Sequence, residues 1–114
     1  MARLVNREIL DAFRAALSEW HSSGFVVWMR RPAEWLRQNF EDEDIRSMTR
    51  LMFEHIENGG QIDQVVERRE IWRDRHEFHY DFRIQVGNRK TYIETVLSVT
   101  NTGPTVTIVS MHDE

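Results

Sequence analysis

Histidine, aspartate and arginine recur at every second position in His79-Tyr80-Asp81-Phe82-Arg83, and a tyrosine and a glutamate are spaced the same way in Tyr92-Ile93-Glu94. In an extended chain this spacing puts His79, Asp81 and Arg83 on one face and Tyr80 and Phe82 on the other. Two carboxyls that hold their protons with different strengths are an acid/base device. A histidine passes a proton near neutrality. An arginine holds a phosphate through two parallel hydrogen bonds, and a tyrosine stacks on a base or donates its hydroxyl. Together these groups suit cleavage of a phosphodiester without a metal, with a base, an acid and a cation for the developing charge.

The element that brings them together is a β-hairpin. Two alternating runs, Phe78–Val86 and Lys90–Val99, meet at Gly87-Asn88. A two-residue turn sets Val86 opposite Arg89, Phe82 opposite Ile93 and Phe78 opposite Leu97, so apolar meets apolar. The same register sets Arg83 against Tyr92, Asp81 against Glu94 and His79 against Val96. Like charges directly opposite destabilise a sheet, so Asp81 against Glu94 requires compensation. Arg83, a neighbouring-strand arginine such as Arg68, a cation, or a proton held on one carboxyl would each serve. His112 ends the last strand, where it can line the same sheet edge. The candidate catalytic residues are therefore His79, Asp81, Arg83 and Glu94. Tyr92, Arg68 and His112 are candidates for binding substrate. The plain alternative is a solvated sheet face on which Asp81 pairs with Arg83, Arg68 or Arg89. His76 and His79 fall on opposite faces of a strand, so no metal site is read from them, and no motif calls for a cofactor.

The rest of the chain supplies what must support the hairpin. Asn6 caps a helix expected over Arg7–Trp20, with Ile9, Leu10, Phe13, Leu17 and Trp20 as its apolar stripe. His21–Gly24 ends it. Phe25–Met29 is an apolar run too short for periodicity to separate a buried strand from a connector. A second helix is expected over Pro32–Asn39. A third follows the acidic run Glu41–Asp44, whose carboxylates suit a helix N-terminus, and Asn58-Gly59-Gly60 stops it. From Gln61 the period becomes two. Strands are expected over Val65–Trp72 and Thr105–Met111, with a polar loop Arg73–Glu77 and a turn Asn101–Pro104. This predicts one α+β domain, residues 1–60 mainly helical and 61–114 a four-stranded antiparallel meander, the helices on one face. Trp28, Trp35 and Trp72 read as core or interface residues.

With 114 residues, 40% of them hydrophobic, the chain is long enough for one domain with a real core. It has no cysteine, which excludes thiol nucleophiles and disulfides and suits a reducing cytoplasm. No segment approaches the roughly 20 apolar residues of a membrane span, and Met1–Phe13 is amphipathic, without the apolar block of a signal peptide. A soluble cytoplasmic protein with no membrane partner is expected. The net charge of −4 argues against a generic nucleic-acid binder. The excess acid lies in residues 1–63, whereas 64–93 lean basic.

Helices followed by a four-stranded antiparallel sheet with polar residues on its open face resemble the RelE/barnase-like ribonuclease toxin superfamily. Tyr92–Leu97 and Thr107–His112 look like the last two strands of such toxins, and the resemblance covers about residues 44–112. It implies a metal-independent endoribonuclease acting on messenger RNA and neutralised by an antitoxin, with His79, Arg83, Glu94 and His112 at the matching positions. The other reading is a non-enzymatic interaction module, antitoxin-like, immunity-like or a dimeric adaptor. Its acidic surface would suit a basic partner and its apolar residues 20–36 a homodimer.

Overall fold

The structure, a computed structural model, describes residues 3–22 and 24–114. Met1 and Ala2, in the start read as amphipathic, and Ser23, in the expected stop of the first helix, lie outside the described residues. The side chain of Asn6 accepts the backbone N–H of Ile9 at 2.9 Å and opens α1 (Arg7–Leu17). The helix stops short of the expected Trp20. Ser18 turns its hydroxyl back onto the Ala15 carbonyl, and the N–H groups of Glu19 and Trp20 bond carbonyls three residues back, which tightens the last turn.

The apolar run becomes a short strand, β2 (Val26–Trp28), and leads into α2 (Arg30–Asn39), with Pro32 in its first turn. Asp44, last of the acidic run, caps α3 (Ile45–Glu57). It accepts the Ser47 N–H at 2.8 Å while the Ser47 hydroxyl accepts the Asp44 N–H at 2.9 Å, a reciprocal capping box. β1 (Arg3–Leu4), β3 (Ile62–Val66), a one-turn α4 (Glu70–Arg73), β4 (Phe78–Val86), β5 (Arg89–Thr100) and β6 (Gly103–Asp113) complete the chain.

Among the described residues the strand order is β1-β3-β4-β5-β6-β2. β3 to β6 form the expected antiparallel meander. The class is α+β as expected, but the sheet is larger than four strands and is mixed. β1 adds antiparallel to β3, and β2 adds parallel to β6. Both extra strands come from the half expected to be mainly helical, and neither is long enough to show a period. The strand expected over Val65–Trp72 is also corrected. β3 begins and ends earlier, because beyond Val66 the carboxylate of Glu67 takes the Arg69 N–H and turns the chain into α4.

The turn at Gly87-Asn88 forms, with Gly87 at φ 62°, the positive φ that a type II′ hairpin needs at its first central position. The observed pairs include Val86 with Arg89, Phe82 with Ile93 and Asp81 with Glu94, the register expected from the alternation. One sheet face is dry. Phe82, Ile84, Ile93, Val106 and Ile108 meet Phe13, Leu17, Met48, Met52 and Ile56 of α1 and α3 in one core. Phe13 packs edge-on against Tyr80 and Phe82, at 5.3 and 5.6 Å between ring centroids. Such pairs add about 0.5–1.5 kcal/mol each beyond their area burial. β2 pairs with Val106–Ile108 of β6, and α2 also packs against β6.

Candidate functional site

The opposite face carries Asp63 on β3, His79, Asp81 and Arg83 on β4, Tyr92 and Glu94 on β5, and Ser110 and His112 on β6. Two like-charge pairs stand directly opposite one another, Asp63 with Asp81 and Asp81 with Glu94. Each carboxylate is compensated differently. Asp81 is fully covered. It accepts the His79 Nδ1–H at 2.6 Å through Oδ1 and the Tyr92 hydroxyl through Oδ2. Asp63 pairs with Arg83 at 3.0 Å. Glu94 has a side chain 20% exposed and is ringed by three cationic or potentially cationic groups: Arg69 Nη1 at 3.4 Å, His79 Nδ1 at 3.7 Å and His112 Nε2 at 3.7 Å.

These groups tune one another. The hydrogen bond to Asp81 raises the His79 pKa above its ordinary 6.5, against the opposing effect of burial. Burial, and then the bond to Asp81, push the Tyr92 phenol far above its usual range, so it is a permanent donor. Tyr92 is held from both sides, stacked on His112 with 5.2 Å between centroids and with the Arg83 guanidinium 5.6 Å from its ring. The His112 Nδ1 lies 2.8 Å from the Asp113 carbonyl, which can only accept, so Nδ1 carries a proton and Nε2 faces Glu94.

Glu94 owes its position to a β-bulge. It pairs with Ser110, the next residue Thr95 pairs with Ile108, and Val109 is left over. Bulges re-aim side chains beside functional sites. Val109, Ser110, Glu94 and His112 line one side of an open cleft of about 600 Å³. Arg69 and Trp72, from the turn after β3 and from α4, line another side, and Arg31 and Trp35 of α2 a third. The face is therefore not freely solvated throughout: Val96, opposite the strand end that carries His79, is buried.

The structure thus brings together His79, Asp81, Tyr92, Glu94 and His112. Arg83 reaches the cluster only through the face of Tyr92, and its charge is engaged by Asp63 and by Glu114 at 3.4 Å. Arg68 is exposed, and the arginine beside Glu94 is its neighbour Arg69. Sequence reasoning missed Arg69 and Trp72 as cleft residues, whereas Trp35, read as core or interface, does pack against the core and also borders the cleft. Glu67-x-Arg69 at the end of a strand was the available signal for the first, since a carboxylate two residues ahead can orient the arginine. The tryptophans gave none that separates a cleft wall from core. No protein-family model, no curated protein and no solved structure matches the chain. The resemblance to ribonuclease toxins accordingly rests on residue pattern alone.

Proposed function

We propose that the protein is a small metal-independent endoribonuclease of the toxin type, cutting single-stranded RNA in the cleft around Glu94. The observation that carries this reading is the convergence in one open cleft of a carboxylate, a histidine nitrogen 3.7 Å from it, an arginine and two tryptophans. Glu94 takes the proton of the ribose 2′-hydroxyl, and the 2′-oxygen attacks the adjacent phosphorus. The bond to the 5′-oxygen breaks, and that oxygen receives the proton of charged His112. The products are a 2′,3′-cyclic phosphate and a 5′-hydroxyl, with no co-reactant needed. Arg69 and His79, held by Glu67 and Asp81, supply positive charge for the phosphorane. The contact between Glu94 and His112 exceeds hydrogen-bond length, so an entering phosphate displaces no hydrogen bond there. Trp72 offers a ring for an unpaired base, while Trp35, packed against the core with Arg89 over its ring, walls the cleft.

The test uses a fluorescent single-stranded RNA in EDTA, with the matching DNA as control. Wild type is expected to cut RNA and not DNA, with Glu94→Gln and His112→Ala reduced to background and wild type alone arresting growth on induction. Equal cleavage by all three proteins rejects the reading. A second reading, a protein-interaction module, is favoured by the edge strand β2 and its flanks, where Phe25, Val27 and Met29 are exposed. An antitoxin or a second copy of the chain would cover that edge. Purification as a dimer that Val27→Lys converts to monomer, with no RNA cleavage, would support it.

A further inference from the structure

The groups around Glu94 have a second property that proton transfer does not require. His112 Nδ1 is bonded to a backbone carbonyl, so in the neutral ring its Nε2 is a bare lone pair. That lone pair faces a carboxylate oxygen at 3.7 Å, acceptor against acceptor. The Glu94 carboxylate stands at the same 3.7 Å from His79 Nδ1. Ligating atoms of His79, Asp81 and Glu94 all lie within 4.8 Å of one another. Nitrogen and oxygen ligands about 2.0–2.1 Å from a four-coordinate ion stand roughly 3.4 Å apart, so His79, Asp81 and Glu94 need small side-chain adjustments, and His112 joins them through its 3.7 Å contact with Glu94. The backbone carbonyl behind His112 is the kind of outer partner that fixes the ring of a metal-binding histidine.

We propose that His79, Asp81, Glu94 and His112 form a binding site for a divalent transition ion of the zinc class. The ion takes the place of the proton that His79 gives to Asp81. Two imidazoles and two carboxylates suit zinc, cobalt or nickel, whereas magnesium and calcium prefer all-oxygen sites. The ligands are distributed over β4, β5 and β6, and the Tyr92 hydroxyl holds the other oxygen of the Asp81 carboxylate. An ion bound there occupies the Glu94 lone pair that would take the 2′-hydroxyl proton and displaces the His112 Nε2 proton that would go to the leaving oxygen. That consequence alone rests on the nuclease reading, and metal binding itself does not.

The experiment uses the full chain stripped with EDTA and desalted. Cobalt(II) is titrated in while its visible absorption is followed, and zinc chloride is titrated by calorimetry. Saturation at one ion per chain is expected, with an intense cobalt band of the four-coordinate kind. Affinity falls about tenfold or more in His112→Ala and in Glu94→Gln. The exposed-histidine variant His21→Ala binds as wild type, and magnesium and calcium do not compete. Both ligand variants alter side chains that are partly exposed, and circular dichroism confirms that they fold. Absence of saturable binding to wild type, or equal affinity in wild type and both ligand variants, overturns the proposal. Because neither measurement contains RNA, failure here is distinct from failure of the nuclease reading.

Discussion

Glu67 and Arg69 form a closed clamp. The fully covered Glu67 carboxylate accepts the Arg69 backbone N–H at 2.9 Å, its Nε–H at 2.8 Å and its Nη2–H at 2.7 Å, while the free edge of the guanidinium points at Glu94. The cation of the cleft is thus set by a residue that is not in the cleft. Burial pushes the Glu67 carboxyl up, but the bonds and charge of Arg69 outweigh it and hold the pKa below the usual 4.5. A depressed carboxyl stabilises the fold at pH values above its unfolded pKa and loses that contribution as pH falls through the folded one. Glu67→Gln sets an amide N–H₂ against guanidinium donors. Expected outcomes are a loss of about 1–3 kcal/mol in urea unfolding at neutral pH, a shallower fall in stability below pH ~4.5 than in wild type, and cleavage reduced roughly 10–100-fold as Arg69 loses its aim.

The two arginines near the site separate by substitution to lysine, which keeps charge and removes the planar fork. Arg69→Lys should lower RNA cleavage by about tenfold or more. Arg83→Lys should leave it within about twofold of wild type, because Arg83 serves Asp63 and Glu114 at the far side of Tyr92. Steady-state cleavage rates of the two variants at equal protein concentration decide the matter, and the reverse order would return the catalytic cation to Arg83.

His79 predicts the opposite pH slope to Glu67. Its neighbours are Asp81 and Glu94, with Glu67 and Arg69 above them, and its folded pKa lies above 6.5. A raised histidine gives its full contribution below the unfolded pKa and loses it as pH rises through the folded value. In EDTA, wild-type stability should therefore decline on going from pH ~6 toward pH ~8. His79→Asn should show a flatter profile over the same window. Urea midpoints at several pH values test this, and parallel profiles for the two proteins would refute it.

How far the sequence carried this picture depends on the element. The hairpin register followed from Gly87-Asn88 and the apolar alternation, because a one-residue slip would have put Phe82 and Ile93 on the wet face. α3 followed from the acidic run before it and the Asn58-Gly59-Gly60 stop after it. The strand edges did not, since β1 and β2 are held by pairing with β3 and β6, which local pattern does not encode. At the site, Asp81 against Glu94 was legible and its compensation was not. Arg69 arrives through a turn that breaks strand alternation just after Val66. The bulge that aims Glu94 does leave a trace. Val106, Ile108 and Met111 face the core, and the step from 108 to 111 is odd where alternation requires an even one.

Gly60 tests how the loop after α3 is fitted. Its φ is ordinary, so another residue is allowed by the backbone, yet a Cβ there would lie 2.4 Å from the His55 ring. That ring donates its Nε2–H to the Gln61 carbonyl at 2.8 Å and rests 5.7 Å from Phe82. It is therefore not a free helix-surface side chain. Gly60→Ala should cost about 1–3 kcal/mol by overpacking. In a His55→Ala background the same change should cost less than half as much, and a double-mutant cycle by urea unfolding reads the difference.

The tryptophans divide by role, and a paired measurement exposes it. Trp28 packs against the core and donates its Nε1–H to the Thr49 hydroxyl at 3.0 Å, while that hydroxyl donates to the Ile45 carbonyl. Trp72 lines the cleft with Arg69 and Glu94, its ring near Arg75 and His76. Trp28→Phe removes one half-buried hydrogen bond and part of a ring, and should destabilise by about 1–2 kcal/mol with RNA binding unchanged. Trp72→Ala should leave the unfolding midpoint nearly unchanged but weaken binding of single-stranded RNA by about 1–3 kcal/mol, the loss of one base stack. Fluorescence anisotropy with a labelled oligonucleotide on the Glu94→Gln background measures that affinity without cleavage. Wild-type affinity in Trp72→Ala on that background would remove the stacking role and leave Trp72 as a cover for the sheet.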